Sequence, residues 1–277
     1  MTYVNLNGKL QEADSLVVPA DHRGLRYGYS LFETMRWEEG GLPLGTLHWE
    51  RLFAGLRTLL LDIPPHFTPA YLEEQVARTV KRNGLEACAR IRLQAGPGSG
   101  GLYDREGWGL HFLIECFPLA PRAINENGLV VGISQYARKD YSPLSHLKSG
   151  SALCYGVAAR EAVANRWNDA LLLNSQGRIV ESTISNLFWV EDAGVFTPPI
   201  TEGPIAGVCR SHIMASLALV GMPVTEAPLS LETAERALGL FLTNAVRGIQ
   251  WVKEVGGMVY AKGPVENIGR NITSPMR

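Results

Sequence analysis

Hydrophobic and polar positions alternate over the first ten residues, and Asn7-Gly8 separates the two alternating segments. This arrangement predicts a β-hairpin, because Asn and Gly both tolerate the positive φ that a tight two-residue turn requires. Comparable apolar runs bounded by turn residues predict further strands near residues 89–95, 110–117, 129–134, 187–190, 239–243 and 249–255, and a second hairpin over 171–180. The chain is therefore expected to begin with antiparallel sheet.

Other segments repeat their apolar residues at the spacing of a helix. Leucines at this spacing predict a first helix from Thr46 to about Leu61, with Thr46 as its N-cap. A second helix is predicted from Thr68, with Pro69 in its first turn, to Asn83. Three more are predicted near residues 151–166, 206–220 and 230–237. Helices and strands do not alternate regularly, so we predict a mixed α/β (α+β) fold rather than a doubly wound sheet.

The length of the chain predicts more than one domain, since 277 residues exceed the usual size of a single domain. The segment Pro118–Gly128 is rich in proline and polar residues and is typical of a linker. We therefore predict a small N-terminal domain over residues 1–118, a linker over 119–128 and a larger domain over 129–277.

Composition narrows the possible functions. Hydrophobic residues make up 46% and charged residues 19% of the chain, and the net charge is −1, so little electrostatic attraction to nucleic acid or anionic membrane is expected. No signal-peptide pattern opens the chain, and no apolar stretch approaches the roughly 20 residues that span a bilayer. We expect a cytoplasmic protein that binds neither nucleic acid nor membrane. The cysteines lack the short paired spacings of metal or redox sites, so we predict no metal and buried thiols at Cys88, Cys116, Cys154 and Cys209.

Lys148 is the first candidate for chemistry. It directly precedes a predicted helix whose apolar positions, including Leu153, Val157 and Ala158, indicate a packed element. Partial burial there would favour a neutral amine, which can attack an aldehyde. A solvated lysine at a helix entrance explains the same local pattern.

Two further residues could serve the same chemistry. Glu181, at the end of the strand Ile179-Val180, could hold a pyridine nitrogen protonated and so make a pyridoxal ring an electron sink. Arg51, at the border of the first helix's apolar stripe, could extend its planar guanidinium toward a phosphate. A turn glutamate and a surface ion pair are the alternatives.

Two glycine-containing segments bear on phosphate binding. The segment Gly203–Arg210 runs into a predicted helix, and backbone amides at a helix start bind phosphate readily, although an ordinary helix start gives the same pattern. The segment Gly96–Gly101 lacks the Gly-Lys-Ser/Thr ending of a phosphate loop and is followed by Leu102 and Tyr103. We interpret it as a flexible loop of the kind that borders a binding site.

The order of these segments resembles the class IV aminotransferase family, the fold-type IV pyridoxal-phosphate enzymes. The matching motifs are Asp21–Gly28 with Phe32-Glu33-Thr34, His48-x-x-Arg51-Leu52, Lys148, Glu181–Phe188, Thr197-Pro198, Gly207–Arg210 and Leu242–Ala245. Each motif is moderately specific, but the ordered set covers nearly the whole chain.

The resemblance implies pyridoxal 5′-phosphate held as a Schiff base on Lys148, with Glu181 at the pyridine nitrogen. It implies that Arg51 binds the phosphate through its side chain. The other implied cofactor residues are Asn186, Gly207, Val208, Cys209, Thr243 and Asn244. A small N-terminal α/β domain, a larger domain with a barrel-like sheet, and a homodimer are also implied. This sequence departs from the family pattern at Tyr29-Ser30, at Ser151 and at Cys209.

Within the family, the chain most resembles the aminodeoxychorismate lyases, which release 4-aminobenzoate and pyruvate from 4-amino-4-deoxychorismate for folate biosynthesis. The compact length and the segments Gly98–Tyr103 and Pro204–Arg210 carry that resemblance. Two alternatives stay open: an aminotransferase acting on branched-chain or D-amino acids with 2-oxoglutarate, and a non-catalytic binding protein on the same scaffold. Retention of the lysine, glutamate and arginine speaks against the latter.

The small amino substrate should carry carboxylates, which calls for cationic contacts. The candidates for contact with it are Tyr27, Arg90, Arg92 and Arg247. The arginines at 90 and 92 alternate onto one face of a predicted strand, and surface charge is the alternative explanation for all three. Residues 92–96 lack the histidine typical of D-amino acid aminotransferases, which disfavours that specificity.

Overall fold

The structure is a computed structural model that describes residues 2–122 and 126–272, and its residues form two compact units. The first unit comprises the described residues up to Pro121 together with Lys148–Ala152, and the second comprises those of Arg122–Leu147 and from Leu153 onward. Part of the predicted linker, residues 123–125, lies outside the described residues. The predicted domain boundaries stay a prediction.

The first unit is an antiparallel sheet with helices packed on it. Its strands are β1 (Tyr3–Leu6), β2 (Lys9–Glu12), β3 (Leu31–Glu38), β4 (Cys88–Pro97) and β5 (Leu110–Pro118), and its helices are α1 (Arg23–Tyr27), α2 (Gly45–Thr58) and α3 (Pro69–Arg82). The strand order is β2-β1-β5-β4-β3, which leaves β3 at one side. Leu56, Leu72 and Ile91 are fully buried between helices and sheet, each contributing roughly 2 kcal/mol.

The second unit is built on a larger mixed sheet. Its strands are β6 (Leu129–Arg138), β7 (Asp169–Leu173), β8 (Ile179–Ser182), β9 (Asn186–Glu191), β10 (Gly194–Thr197), β11 (Thr225–Glu226), β12 (Gly239–Asn244), β13 (Gly248–Val255) and β14 (Met258–Val259). Its helices are α4 (Leu153–Ala164), α5 (Val208–Leu219), α6 (Leu231–Arg236) and α7 (Gly263–Arg270). The sheet order is β11-β10-β9-β12-β13-β6-β7-β8, with β14 beside β13, and β6 runs parallel to both its neighbours.

Apolar side chains fill the second unit on both faces of its central strands. Trp189 and Leu240 lie in one buried cluster, and on the opposite face the rings of Phe188 and Phe241 stack with centroids 4.9 Å apart. Strands β9 and β12 are buried on both faces. Their sequences are therefore continuous apolar runs instead of alternating apolar and polar residues. Across the residues the structure describes, no helix is both long and apolar enough to cross a bilayer.

The predicted hairpins, strands and longer helices are confirmed, with ends that differ by a few residues. Asn7 and Gly8 have φ values of 52° and 85°, as the predicted turn requires. Thr68 caps α3 by accepting a hydrogen bond from the Tyr71 amide at 3.2 Å. The predicted N-cap at Thr46 is wrong, because α2 begins one residue earlier and Leu44 holds the N-cap position without a side-chain bond.

Two expectations about burial are also corrected. In α4, Ala158 is buried as predicted, but Leu153 is 81% exposed and Val157 is 37% exposed, so these two apolar positions do not belong to the core. Cys116 and Cys209 are buried as predicted, whereas Cys88 and Cys154 are partly exposed at the ends of their elements. Burial raises the pKa of the Cys116 thiol to about 12, which makes it unreactive.

Candidate active site

Lys148 lies beside β3, at the side of the first unit's sheet. The Phe32 amide donates to the Lys148 carbonyl at 2.9 Å, and the Gly150 amide donates to the Ser30 carbonyl at 2.7 Å. The Lys148 Nζ atom lies 4.5 Å from the centroid of the Phe32 ring. The backbone of the lysine is therefore fixed by the sheet, while its partly exposed amine rests on an aromatic face.

Two glycines, Gly28 and Gly150, allow the segment around Lys148 to lie close to the segment around Ser30. A Cβ atom on Gly150 would lie 2.3 Å from Ser30 Oγ, which no neighbour could accommodate without moving. Gly28 ends α1 with a φ of 64°, and a Cβ there would lie 3.1 Å from the Ser151 Cα. The small residues around the lysine are thus explained by close backbone approach.

Arg51 is bound to a buried carboxylate in the same unit. Its Nε donates to Glu33 Oε1 at 2.8 Å, its Nη2 contacts Glu33 Oε2, and His48 Nδ1 donates to Oε2 at 2.6 Å. Burial alone would raise the pKa of the Glu33 carboxyl, but the Arg51 charge and the hydrogen bonds from His48 and Arg51 lower it to about 2. Glu33 is therefore ionised at neutral pH and holds the guanidinium in place.

Glu181 is the corresponding buried carboxylate of the second unit. Its Oε1 accepts from the Tyr155 hydroxyl at 2.6 Å, and its Oε2 accepts from the Ile205 amide at 3.1 Å and from Asn186 Nδ2 at 3.3 Å. Hydrogen bonds donated to a carboxylate favour its ionised form. Burial and the Glu181 charge raise the pKa of Tyr155, so its hydroxyl stays a donor. The arrangement can present a negative charge to a cationic ring nitrogen.

The residues next to Glu181 fit a phosphate. Thr243 pairs with Asn186 across β12 and β9, and its hydroxyl is buried without a hydrogen-bond partner among the described residues. Gly207 is the N-cap of α5, and a Cβ there would lie 1.8 Å from Asn186 Oδ1. A glycine N-cap has no side chain to bind the first amides of α5, Val208 and Cys209 among them, and such amides bind phosphate.

Asn244 uses its side chain to form the turn after β12. Its Oδ1 accepts from the Val246 amide at 3.1 Å and the Arg247 amide at 2.9 Å, and its Nδ2 donates to Ser185 Oγ at 3.0 Å. The turn therefore lies against the segment that follows Glu181. A direct cofactor contact by Asn244 stays a prediction.

The comparisons with known proteins show the family. Residues 30–255 match the model of the amino-transferase class IV family, which is more than half of the chain. The chain belongs to the amino-transferase class IV family. Its membership confirms the predicted fold-type IV architecture with a curled larger sheet, and pyridoxal 5′-phosphate as the cofactor.

Relatives with two different activities are similar to this class IV chain. It is 29% identical over 234 residues to an aminodeoxychorismate lyase of Vibrio harveyi, covering 84% of this chain and 85% of that protein. It is 26% identical over 272 residues to a branched-chain-amino-acid aminotransferase of Escherichia coli, covering 94% and 87%. A crystal structure of a branched-chain aminotransferase from Thermoproteus uzoniensis with norvaline superposes with a TM-score of 0.86 at 26% identity, covering 97% of this chain and 92% of that one.

The candidate substrate residues of this class IV chain lie in different surroundings. Tyr27 is 42% exposed at the end of α1. The Arg90 guanidinium lies 4.5 Å from the Phe117 ring, and the Arg92 guanidinium lies 4.1 Å from the Phe32 ring. Arg247 is exposed in the turn after β12 of the second unit. Within the first unit, the structure thus places Arg92 and Lys148 on the same aromatic ring.

Sequence reasoning missed several residues of these clusters. Phe32 and Glu33 were noted only as part of a motif, and Tyr155 was not considered. Their adjacency in β3 was a usable signal, because neighbouring strand residues point to opposite faces and can serve two clusters. Tyr155, seven residues after Lys148, carried no pattern that would have linked it to Glu181.

Proposed function

We propose that this class IV enzyme is an aminodeoxychorismate lyase that converts 4-amino-4-deoxychorismate to 4-aminobenzoate and pyruvate. The pyridoxal-phosphate chemistry is carried by the buried Glu181 carboxylate with its neutral donors. The choice of the lyase reaction is supported by the similarity to the Vibrio harveyi enzyme and by the lyase-like segments Gly98–Tyr103 and Pro204–Arg210.

The residues of the proposed site would hold the cofactor and hold or accept protons. When bound, pyridoxal phosphate supplies an aldehyde that links to amines and a ring that withdraws electrons from the substrate's Cα. Lys148 Nζ would hold the cofactor aldehyde and would serve as the general base toward the Cα proton of the substrate. Glu181 would keep the ring nitrogen protonated, and Tyr155 and Asn186 orient its carboxylate.

The phosphate is assigned to one charged side chain and several neutral groups. Arg51, already aligned by Glu33, supplies a charged side chain. The remaining groups are the backbone of Gly207, Val208 and Cys209, the hydroxyl of Thr243, and the amide side chain of Asn244. Asn186 serves the cofactor through its hydrogen bond to Glu181. The buried Thr243 hydroxyl is the strongest support for this assignment, because an unpaired buried hydroxyl is unfavourable until it meets a partner.

A transaminase acting on branched-chain or D-amino acids with 2-oxoglutarate is the second candidate. It is supported by the similarity to the Escherichia coli and Thermoproteus uzoniensis aminotransferases. In both reactions Lys148 would serve as the general base toward the Cα proton. The products differ, because a lyase releases a fragment of the substrate, whereas a transaminase converts the amino acid to a 2-oxo acid and its amino group goes to 2-oxoglutarate.

Parallel product assays separate the two reactions. The enzyme is incubated with aminodeoxychorismate made in situ, and 4-aminobenzoate and pyruvate are measured. Separate reactions contain leucine or D-alanine with 2-oxoglutarate, and glutamate is measured. We expect aromatic product. Rapid glutamate formation without 4-aminobenzoate would replace the lyase by the transaminase.

The Lys148→Ala variant tests the cofactor link itself. The wild-type protein should be yellow, and the variant should lose the visible absorption band of the lysine-linked cofactor. Lys81→Ala, at an exposed position in α3, is the matched control and should keep the band. A band that survives in Lys148→Ala would remove the assignment of this lysine.

We also propose that the enzyme is a homodimer. The exposed apolar residues Leu153, Val157 and Val163 of α4 form a surface that a second copy could cover. Light scattering should give twice the mass of one chain, and a monomer would contradict the proposal. A cytoplasmic location stays a prediction of the sequence.

A further inference from the structure

Lys139 lies beside Tyr155 in the second unit. It follows β6, and its amide donates to the Leu173 carbonyl at 2.9 Å. Its Nζ donates to the Ser145 carbonyl at 2.7 Å and lies 5.8 Å from the centroid of the Tyr155 ring. The backbone and the ammonium of this partly buried lysine are therefore both fixed, and its charge is held beside an aromatic ring.

Tyr155 connects this cation to Glu181. The Tyr155 hydroxyl donates to Glu181 Oε1 at 2.6 Å, while the ring lies next to the Lys139 ammonium. A cation beside the ring draws electron density from the phenol, which makes the hydroxyl a stronger donor to the carboxylate. The ammonium also attracts the Glu181 charge through space. Lys139 can therefore act on Glu181 both through Tyr155 and through its own charge.

The interaction between Lys139 and Glu181 has a definite sign. Burial lowers the pKa of Lys139, and the Glu181 charge, followed by Cys154, opposes that shift. The interaction of two charges is reciprocal, so the attraction that favours the Lys139 ammonium also favours the ionised form of Glu181. Loss of the lysine charge should therefore make the Glu181 carboxylate easier to protonate.

The other ionisable groups around Lys139 do not duplicate its charge. Burial raises the pKa values of Cys154 and Tyr155, so both side chains are neutral at pH 7. Arg138 and Asp140, the neighbours of Lys139 in the chain, are exposed and opposite in sign, and water screens their charges. Of these groups, Lys139 is the partly buried cation.

We propose that Lys139 is a positioning residue, whose charge beside Tyr155 keeps the Glu181 carboxylate ionised for the ring nitrogen of the cofactor. This inference rests on the proposed function and deepens it. Neutral donors orient the carboxylate, and a nearby cation lowers the cost of keeping it charged in a buried position. Lys139 itself contacts neither the cofactor nor the substrate in this proposal.

The test measures how cofactor affinity depends on pH. The holoenzyme is equilibrated with several concentrations of pyridoxal 5′-phosphate between about pH 4 and 8, and the visible absorption band gives an apparent Kd at each pH. Protonation of Glu181 removes the partner of the ring nitrogen, so affinity should fall on the acidic side. Lys139→Met keeps an apolar side chain beside Tyr155 but loses the charge. In this variant the fall should occur at a pH higher by about 0.5–1 unit.

Further variants separate the effect of charge from that of structure. Lys139→Arg retains the charge and should keep the wild-type pH dependence. Lys253→Met, at an exposed position of β13, is the matched control and should also leave it unchanged. A Glu181→Gln protein has no carboxylate to titrate at this position, so adding Lys139→Met to it should produce no further shift. Lys139→Gln tests the same loss of charge if the methionine variant does not fold.

An unchanged acidic fall in both Lys139→Met and Lys139→Gln would overturn the inference while leaving the cofactor assignment in place. An equal shift in Lys139→Arg, or the same shift in the Glu181→Gln background, would also overturn it, because the charge on Glu181 would then not be the cause. Absence of a visible cofactor band in the wild type would instead remove the proposed function, and this inference with it.

Discussion

Each unit of the molecule contains a buried glutamate, but the two are held in different ways. Glu33 is bound by the cationic Arg51 and by His48, whereas the hydrogen-bond donors to Glu181 described above are the neutral Tyr155, Asn186 and a backbone amide. A charge bound to an arginine is largely neutralised within the protein. Burial lowers the pKa of Lys139 and the Glu181 charge opposes that shift, so Glu181 is hydrogen-bonded by neutral donors and also interacts with a cation.

This difference suggests a structural role for Glu33 and a role in the reaction for Glu181. Glu33 serves mainly to align Arg51, and removing its charge breaks the ion pair with this arginine, whose side chain is 15% exposed. Glu181 serves the ring nitrogen of the cofactor in the proposed function, and removing its charge changes reactivity more than folding. Substitution of Glu181 should therefore lower turnover more than stability, and substitution of Glu33 should lower stability more than turnover.

The largest effect is expected from Glu181→Gln. An amide cannot hold a proton on a pyridine nitrogen, so turnover should fall at least about 100-fold. The free energy of unfolding should fall by only about 1–2 kcal/mol, because the amide oxygen still accepts from Tyr155. Steady-state kinetics and urea unfolding check the two values. Nearly normal turnover would show that Glu181 is a structural residue.

Glu33→Gln should mainly destabilise the fold. Loss of one partner of a buried ion pair costs about 3 kcal/mol, which urea unfolding at pH 7 would detect. Because the pKa of Glu33 is lowered from 4.5 to about 2, its stabilising contribution is present above pH 4.5 and is lost as the pH falls toward 2. The variant should therefore lose less stability than the wild type across that window. Parallel pH profiles of the two proteins would contradict this.

Tyr155→Phe should have the smallest effect. It removes one donor to Glu181 at a cost of about 1 kcal/mol and should weaken pyridoxal-phosphate binding less than about tenfold. Since burial and the Glu181 charge raise the pKa of Tyr155, the hydroxyl should not titrate between pH 7 and 10. The activity profiles of both proteins should therefore have the same shape in this range. A basic limb lost only in the variant would show that Tyr155 ionises.

Local patterns were enough to predict much of the fold. Asn7-Gly8 predicted its hairpin because two residues determine that turn, and Thr68-Pro69 predicted the start of α3 for the same reason. The N-cap of α2 could not be predicted in this way. Leu44 holds it with a φ of 61°, a conformation that leucine seldom adopts and that the surrounding chain imposes.

Contacts between residues that are far apart in the chain could not be predicted from local sequence patterns. The segment Gly96–Gly101 was interpreted as a flexible loop, yet the buried Arg23 donates to the carbonyls of Gly101 at 3.0 Å and Ser99 at 2.6 Å. Its guanidinium also lies 4.3 Å from the Trp108 ring. Arg23 precedes this loop by more than 70 residues, and no spacing rule connects them. The Glu33–Arg51 and Glu181–Tyr155 pairs escaped prediction for the same reason.

The pairing of Lys148–Ala152 with β3 limits how this gene could be recombined with those of its relatives. A chimera joined within residues 119–128 would combine β3 from one parent with a lysine segment from another. The two must still match in backbone register, since Phe32 and Gly150 supply the bonds that join them. A fragment ending at Pro121 would expose the outer edge of β3, which invites aggregation. A functional chimera would therefore need residues 148–152 from the same parent as the rest of the first unit.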